Sequence, residues 1–342
     1  MNRHARIGRL CLLVLAAGGA HAAIPEAPAA DAGAFVEFPL GHVAALDHPP
    51  LNELSGLVTS SDAHGVYWAH NDSGAKPRLF AIDGRYEIHV PEWQRHRYTA
   101  GDALLRAPWP GVEITNASLV DWEDIARVGD RLYIGDVGNN GNARRDLGFY
   151  ELREPVPSGP ETIRATRFIP VHYPEQASFP GSIWEWDCEA VFADGERLYL
   201  LTKHREPESV ASQMPGARLY ALDLTTASTT ASNPLRFISR HDTVELATAA
   251  DLSPDGEVLA VLTYAAVWFF SRPAPGSEDW LGGMPAIRTL PIFETRQAEA
   301  LAWRDDGVLV ITNEGGSIFE MQVDRTALQA AFSEPEADSR PR

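Results

Sequence analysis

The sequence predicts an all-β fold, a propeller of five blades, on three observations. One grammar recurs five times, each recurrence carries a hairpin signature, and almost nothing in the chain has a helical pattern. The copies are 53–72 (ELSGLVTSSDAHGVYWAHND), 121–139 (DWEDIARVGDRLYIGDVGN), 187–204 (DCEAVFADGERLYLLTKH), 249–264 (AADLSPDGEVLAVLTY) and 298–314 (AEALAWRDDGVLVITNE). Each reads as a small, mostly acidic cluster, an apolar strand, a Gly/Asp turn, a second apolar strand and a polar tip. Glycine–aspartate pairs between β-rich runs mark hairpins. Repetition of one such unit along a chain points to blades packed around a common axis. The 27 glycines and 25 prolines, with 22% charged residues, fit turn-rich β structure.

The elements follow in chain order. Residues 1–22 read as a signal peptide, with Arg3, Arg6 and Arg9 ahead of a short apolar run and Ala20-His21-Ala22 as a cleavage site. The apolar run is too short for a transmembrane helix. The expected location is therefore periplasmic or secreted, with no membrane insertion after cleavage. Residues 23–34 read as a disordered leader, 35–331 as a single propeller domain, and 332–342 as a disordered tail. Removal of 1–22 also removes Cys11, so Cys188 would be the only cysteine and no intrachain disulfide could form.

After each hairpin comes a third strand: PRLFAID, GFYELRE, ARLYALDL, AVWFFSR and GSIFEMQV. Fourth strands are expected at 167–174, 234–240 and 286–293. The last copy lacks one, and FVEFPLGHV at 35–43 is unused, so the N-terminal strand is expected to close the last blade. That closure removes a free edge open to aggregation. A six-bladed alternative would have to place its extra blade in 84–120, which is short for one. The one helix candidate is 324–332.

The formal net charge is −18, and the first 22 residues contain three arginines and no acid, so cleavage would deepen the excess. Such a surface repels phosphate backbones, which excludes a nucleic-acid polymer as partner. In a propeller the first strand of each blade lines the channel. Aligning the copies puts Ser55, Glu123, Glu189, Ala250 and Glu299 in one column facing the axis. Two positions earlier on the same face stand Glu53, Asp121, Asp187, Thr248 and Gln297. Three glutamates around one axis repel unless they are protonated or hold a cation. A hard, oxygen-liganded cation resolves the repulsion, and calcium tolerates about six to eight ligands in loose geometry. A water-filled channel or pairing with arginines would resolve it too.

The strand openings ELSGLV, WEDIA, DCEAVF and AEALAW resemble the calcium-activated nucleotidases, or soluble apyrases, over roughly residues 53–320. They are also similar to secreted bacterial propellers of phytase-like and esterase-like type. The nucleotidase resemblance implies a five-bladed scaffold with an axial calcium ion. It implies Ser55, Glu123, Glu189 and Glu299 as ligands, with Ala250 standing where the family has a serine. It further implies hydrolysis of nucleoside di- and triphosphates beside the ion.

The polar tips carry the candidate chemistry. Asp72 or Asp136 would orient or deprotonate water, and His70 or His204 would protonate a leaving group. Arg144, Arg145, Lys203 and Arg205, with Asn139, would bind the anionic substrate, arginine being able to grip phosphate bidentately. The same residues suit plainer roles: Asp72-Ser73-Gly74 is also an Asx turn, and Arg144 and Arg145 are also surface charges. Trp68, Trp122, Trp184, Trp186 and Trp303 are expected to pack between blades. Two functions are open: a calcium-dependent hydrolase of a small phosphorylated substrate, or a non-catalytic propeller that binds a protein or glycan in the cell envelope.

Overall fold

The computed structural model describes residues 27–98, 107–209 and 212–333. The signal segment 1–22, the start of the leader and most of the tail lie outside those residues. Five antiparallel blades account for nearly all of the rest. Blade 1 comprises Leu54–Thr59, Tyr67–Asn71, Arg78–Ile82 and Val112–Ile114; blade 2 comprises Trp122–Val128, Arg131–Asp136, Gly148–Arg153 and Arg167–His172. Blade 3 is Trp184–Asp194, Arg197–Arg205, Ala217–Asp223 and Arg236–His241, and blade 4 is Ala247–Leu252, Val258–Thr263, Ala266–Ser271 and Ala286–Thr289. Blade 5 takes Ala298–Trp303, Val308–Asn313 and Ser317–Gln322 from the C-terminal end, and Leu40–Ala45 as its outer strand. The innermost strands touch in the cyclic order 1-2-3-4-5-1, which closes the ring.

The first hairpin of every blade turns on a glycine in the left-handed region: Gly65, Gly129, Gly195, Gly256 and Gly307 have φ between 58° and 82°. Only glycine adopts that conformation without steric cost, which is why the sequence repeats it. Successive side chains on a strand then face opposite neighbours. In the inner strand of blade 5, Leu301 and Trp303 pack toward blade 4, while Ala300 and Ala302 pack toward blade 1. Five apolar clusters result, one for each interface between blades. Trp68, Trp122, Trp184, Trp186 and Trp303 are all buried. Each fully buried aromatic contributes about 2–3 kcal/mol relative to exposure.

The N-terminal strand closes the last blade with Leu40 opposite Met321 and His42 opposite Phe319. Just ahead of it, Ala34–Phe35 runs parallel to the outer strand of blade 4, Ala34 beside Ala286. The same device joins blades 1 and 2 through Thr162–Ile163, and blades 2 and 3 through Asn233–Pro234. The leader expected to lack structure is therefore engaged from Ala32 onward: Ala32 is buried among blade 4 side chains, and Ala34 N–H donates to Pro285 O at 2.9 Å. At the other end the helix Arg325–Ser333 runs slightly past the expected start of the tail, with Leu328 and Ala331 buried against blade 4. Among the described residues of 84–111 there are short helical turns and a single bridge from Ile88 to Ile82, and no strands of a sixth blade. Among the described residues, no helix is long and apolar enough to cross a membrane.

Candidate metal centre at the channel mouth

Every inner strand carries a β-bulge near its start. The register breaks between Leu54 and Leu57, Trp122 and Ile125, Cys188 and Ala190, Ala247 and Ala249, and Ala298 and Ala300. A bulge leaves a residue unpaired and re-aims its side chain. The breaks span Ser55 and Gly56, Glu123 and Asp124, Glu189, Thr248, and Glu299, so each blade takes one of Ser55, Glu123, Glu189, Thr248 and Glu299 out of the ladder. This corrects the alignment in blade 4. Ala250 lies two residues further along, opposite Val261, and its side chain packs with Ala190 in the core between blades 3 and 4. Thr248 behaves instead like Ser55. Ser55 Oγ donates to Glu123 O in blade 2 at 2.5 Å, and Thr248 Oγ1 donates to Ala298 O in blade 5 at 2.8 Å.

Above this ring the second strands contribute another tier. Pairing sets Asn71, Asp136, Thr202, Thr263 and Asn313 at matching positions. The next residue in each blade is then Asp72, Val137, Lys203, Tyr264 or Glu314. The mouth gathers Glu53, Asp72, Asp121, Glu123, Asp187, Glu189, Glu299 and Glu314 around two buried cations, Lys203 and Arg205, with Arg144 at its edge near Asp121. The floor glutamates are buried, whereas Glu53, Asp72, Asp121 and Glu314 are half-buried at the opening.

The cations serve one side only. Lys203 pairs with Glu189, and its ammonium lies 5.6 Å from the centre of the Tyr264 ring. Arg205 donates to Asp187 Oδ2 at 2.9 and 3.1 Å, and to Asn140 Oδ1 at 2.7 Å. Asn139 N–H completes the Asp187 shell at 2.7 Å. Across the mouth, Tyr264 OH donates to Glu299 Oε1 at 2.6 Å, and Gln297 Nε2 to Glu314 Oε1 at 3.3 Å. Glu123 is different. It is 5% exposed, and no described donor reaches its carboxylate. Asp72 Oδ1 is likewise buried without a partner.

Carboxylate oxygens from Asp72, Asp121 and Glu123 lie within 4.8 Å of one another, and so do those from Glu123, Asp187 and Glu189. Burial first, then the charges of Glu189, Asp72, Asp121 and Asp187, push the Glu123 carboxyl well above the usual range. Asp72 moves the same way, through burial and then Asp121 and Glu189, and Asp121 rises to about 6. Burial is the largest single influence on Lys203 and lowers its pKa, but the charges of Glu189, Glu299 and Asp187 together raise it above the ordinary value. This is the electrostatic signature of a site short of positive charge. The donor set, all carboxylate oxygen, fits a hard divalent cation.

Other residues named from sequence fall elsewhere. His70 is fully buried between Gly56 and the Trp122 ring, and burial lowers its pKa to about 4, so it is a neutral packing group with no path to a leaving group. His204 alternates with Lys203 and Arg205 and therefore faces outward, where Nε2 lies 3.3 Å from Glu185. Asp136 is bound by Arg144 at 2.8 Å and accepts from Asp121 N at 3.2 Å, so both are committed beside the mouth. Arg145 is exposed and lies over the Phe179 ring at 3.9 Å. Lys203 and Arg205, expected in a rim loop, belong to a strand that continues to Arg205, and both are buried.

Two residues escaped sequence reasoning. Asp124 is 1% exposed and its carboxylate accepts from Ile125 N and Val191 N at 2.8 Å and from Ala250 N at 3.2 Å. It thereby ties blades 2, 3 and 4 together on the axis, and burial holds its pKa well above normal against those three donors. The signal was a second acid directly after Glu123 inside an apolar strand. Gly138 backs the cradle: a Cβ there would collide with Glu123 Oε1 and the Asp121 carboxylate.

No family model matches the chain, and no curated protein matches it. Among solved structures, the WD40 domain of Neurospora crassa Pan2 is similar over 90% of this chain and 100% of that one, at 10% identity and a TM-score of 0.41.

Proposed function

We propose that the chain is an exported, calcium-binding propeller that hydrolyses a phosphorylated small molecule at its acidic mouth. The observation that carries this reading is Glu123, a buried carboxylate with no donor, set between two carboxylate triads. Bound there, a divalent ion supplies Lewis-acid polarisation of a phosphoryl oxygen. The chain's own residues do the rest. The floor glutamates and Asp187 hold charge in place on rigid strands. Asp72, half-buried at the opening, would orient the attacking water as one of the carboxylates around the ion. Asp136 drops out of that role, because Arg144 holds it. Purified protein with saturating calcium should release inorganic phosphate from some member of a panel of sugar phosphates and phosphoanhydrides, and chelator should abolish the release. No release across the panel would sink the hydrolase reading.

A second reading rests on a different observation. Arg144, Lys203 and Arg205 are committed to internal ion pairs, and Arg145 lies over a ring, so these four residues form no free basic patch for an anion at the mouth. Meanwhile Val120, Ile183 and Phe293 are exposed just ahead of the inner strands of blades 2, 3 and 5. A calcium-stabilised propeller that binds a protein or glycan in the envelope fits this rim. Calcium-dependent stability without phosphate release favours it.

A further inference from the structure

We infer that the mouth takes one divalent cation, seated off the axis between blades 1 and 2 by Asp72, Asp121 and Glu123, while Lys203 and Arg205 fill the neighbouring seat as built-in cations. This rests on the reading of the mouth as a cation site and says where in it the ion lies. The two carboxylate triads share Glu123, and in each the ligand atoms lie within 4.8 Å of one another. Geometry alone would allow an ion in each. Their partners differ sharply. In the blade 3 triad, Asp187 receives two bonds from Arg205 and one from the Asn139 amide, and Glu189 holds the Lys203 ammonium. Lys203 and Arg205 are 3% and 5% exposed, so these charges are part of the interior.

In the triad of Asp72, Asp121 and Glu123, no side-chain hydrogen bond or ion pair is made to any of the three carboxylates among the described residues, and the charges of Arg144 and Lys203 act on Asp121 only from beyond ion-pair distance. Glu123 is only 5% exposed, and Asp72 Oδ1 is an orphaned buried acceptor. Unmatched carboxylates at such depth are costly unless a proton or a cation joins them. The Cα of Gly138 closes the back of this seat and leaves no room for a side chain. The half-buried Asp72 and Asp121 leave its front toward solvent. An ammonium and a guanidinium are fixed in number and cannot be exchanged, so the blade 3 seat is permanently neutralised. The seat beside it is free to load and unload.

The test is calcium titration of the full chain by calorimetry, with terbium luminescence as a second readout of the same seat. Wild type should bind one ion. Asp72→Asn should weaken binding by at least about tenfold, as loss of a metal-site group typically does. Glu189→Gln should leave stoichiometry at one. Lys203→Met combined with Arg205→Met should open the second seat and raise the count to two, a gain that misfolding cannot mimic, and a folded double variant that still binds one ion would overturn the claim that these side chains fill that seat. Two ions in wild type, or binding lost in Glu189→Gln but kept in Asp72→Asn, would overturn the assignment while leaving a cation site in place. No binding of either ion to wild type would instead sink the cation reading itself.

Discussion

Asp124 of blade 2 reaches the backbone amide of Ala250 in blade 4, with Oδ2 3.2 Å from the nitrogen. The same oxygen accepts from Val191 N in blade 3, so one buried carboxyl bridges three blades where their inner strands converge. Leaving a buried amide unpaired costs about 1–3 kcal/mol. Asp124→Ala strands several such donors and should destabilise the protein by several kcal/mol, on the order of 3, in chemical denaturation. Asp124→Asn keeps an acceptor and should cost much less. Equal effects would show that the carboxyl fills space rather than joins blades.

Gly138 sits outside the left-handed region, so alanine suits its backbone, yet the added methyl collides with Glu123 and Asp121. Gly138→Ala should keep the melting temperature of the calcium-free protein within a few degrees and weaken calcium binding by about tenfold or more. Unchanged affinity would mean that the ion is held elsewhere.

Ser55 and Thr248 each donate a hydroxyl proton to a carbonyl of the following blade. Ser55→Ala and Thr248→Val should each cost about 1 kcal/mol, the usual net worth of one such bond. Ala250→Ser places a hydroxyl in the core beside Ala190 and should also destabilise. A stabilising Ala250→Ser, with tighter calcium binding, would restore Ala250 to the ring.

Burial raises Asp251 to about 7 and Asp121 to about 6, against about 4 for an unperturbed aspartate. A carboxyl whose folded pKa is raised binds more protons folded than unfolded over that interval. Stability of the calcium-free protein should therefore fall as pH rises from about 4 toward 7. Calcium should cancel the part due to Asp121 and leave the part due to Asp251, which lies at the opposite end of its strand from the mouth. Melting curves from pH 4.5 to 8, with calcium and with chelator, read this directly. A calcium-free protein that gains stability across the range would refute it.

The blades were legible because each one repeats the same turn chemistry, and because an unused apolar segment at 35–43 matched the strand missing from the last blade. What misled was local. The bulge in blade 4 moves the axial side chain to Thr248, and only the spacing to the turn betrays it: Thr248 precedes Gly256 by the same interval as Glu299 precedes Gly307. Lys203 looked like a loop residue because polar residues follow Leu201, yet pairing with Asp187 keeps the strand going. His204 was then placed on the wrong face by one step of alternation. Asp124 could not be foreseen, since nothing local tells that its carboxyl meets amides from blades 3 and 4.

The closing strand Leu40–Ala45 has a consequence for how the protein is made. Synthesis delivers this segment before every strand of blades 1 to 4 and its partner Ser317–Gln322 after all of them. Ala34–Phe35 waits in the same way for Ala286–Thr289. Blades 1 to 4 can assemble hairpin by hairpin as they emerge, but the circle stays open until Ser317–Gln322 has followed them. During that wait the apolar flanks of blades 1 and 5 have no neighbour. A holding factor during synthesis, or a late and all-or-none closure, is what this architecture demands of the cell that builds it.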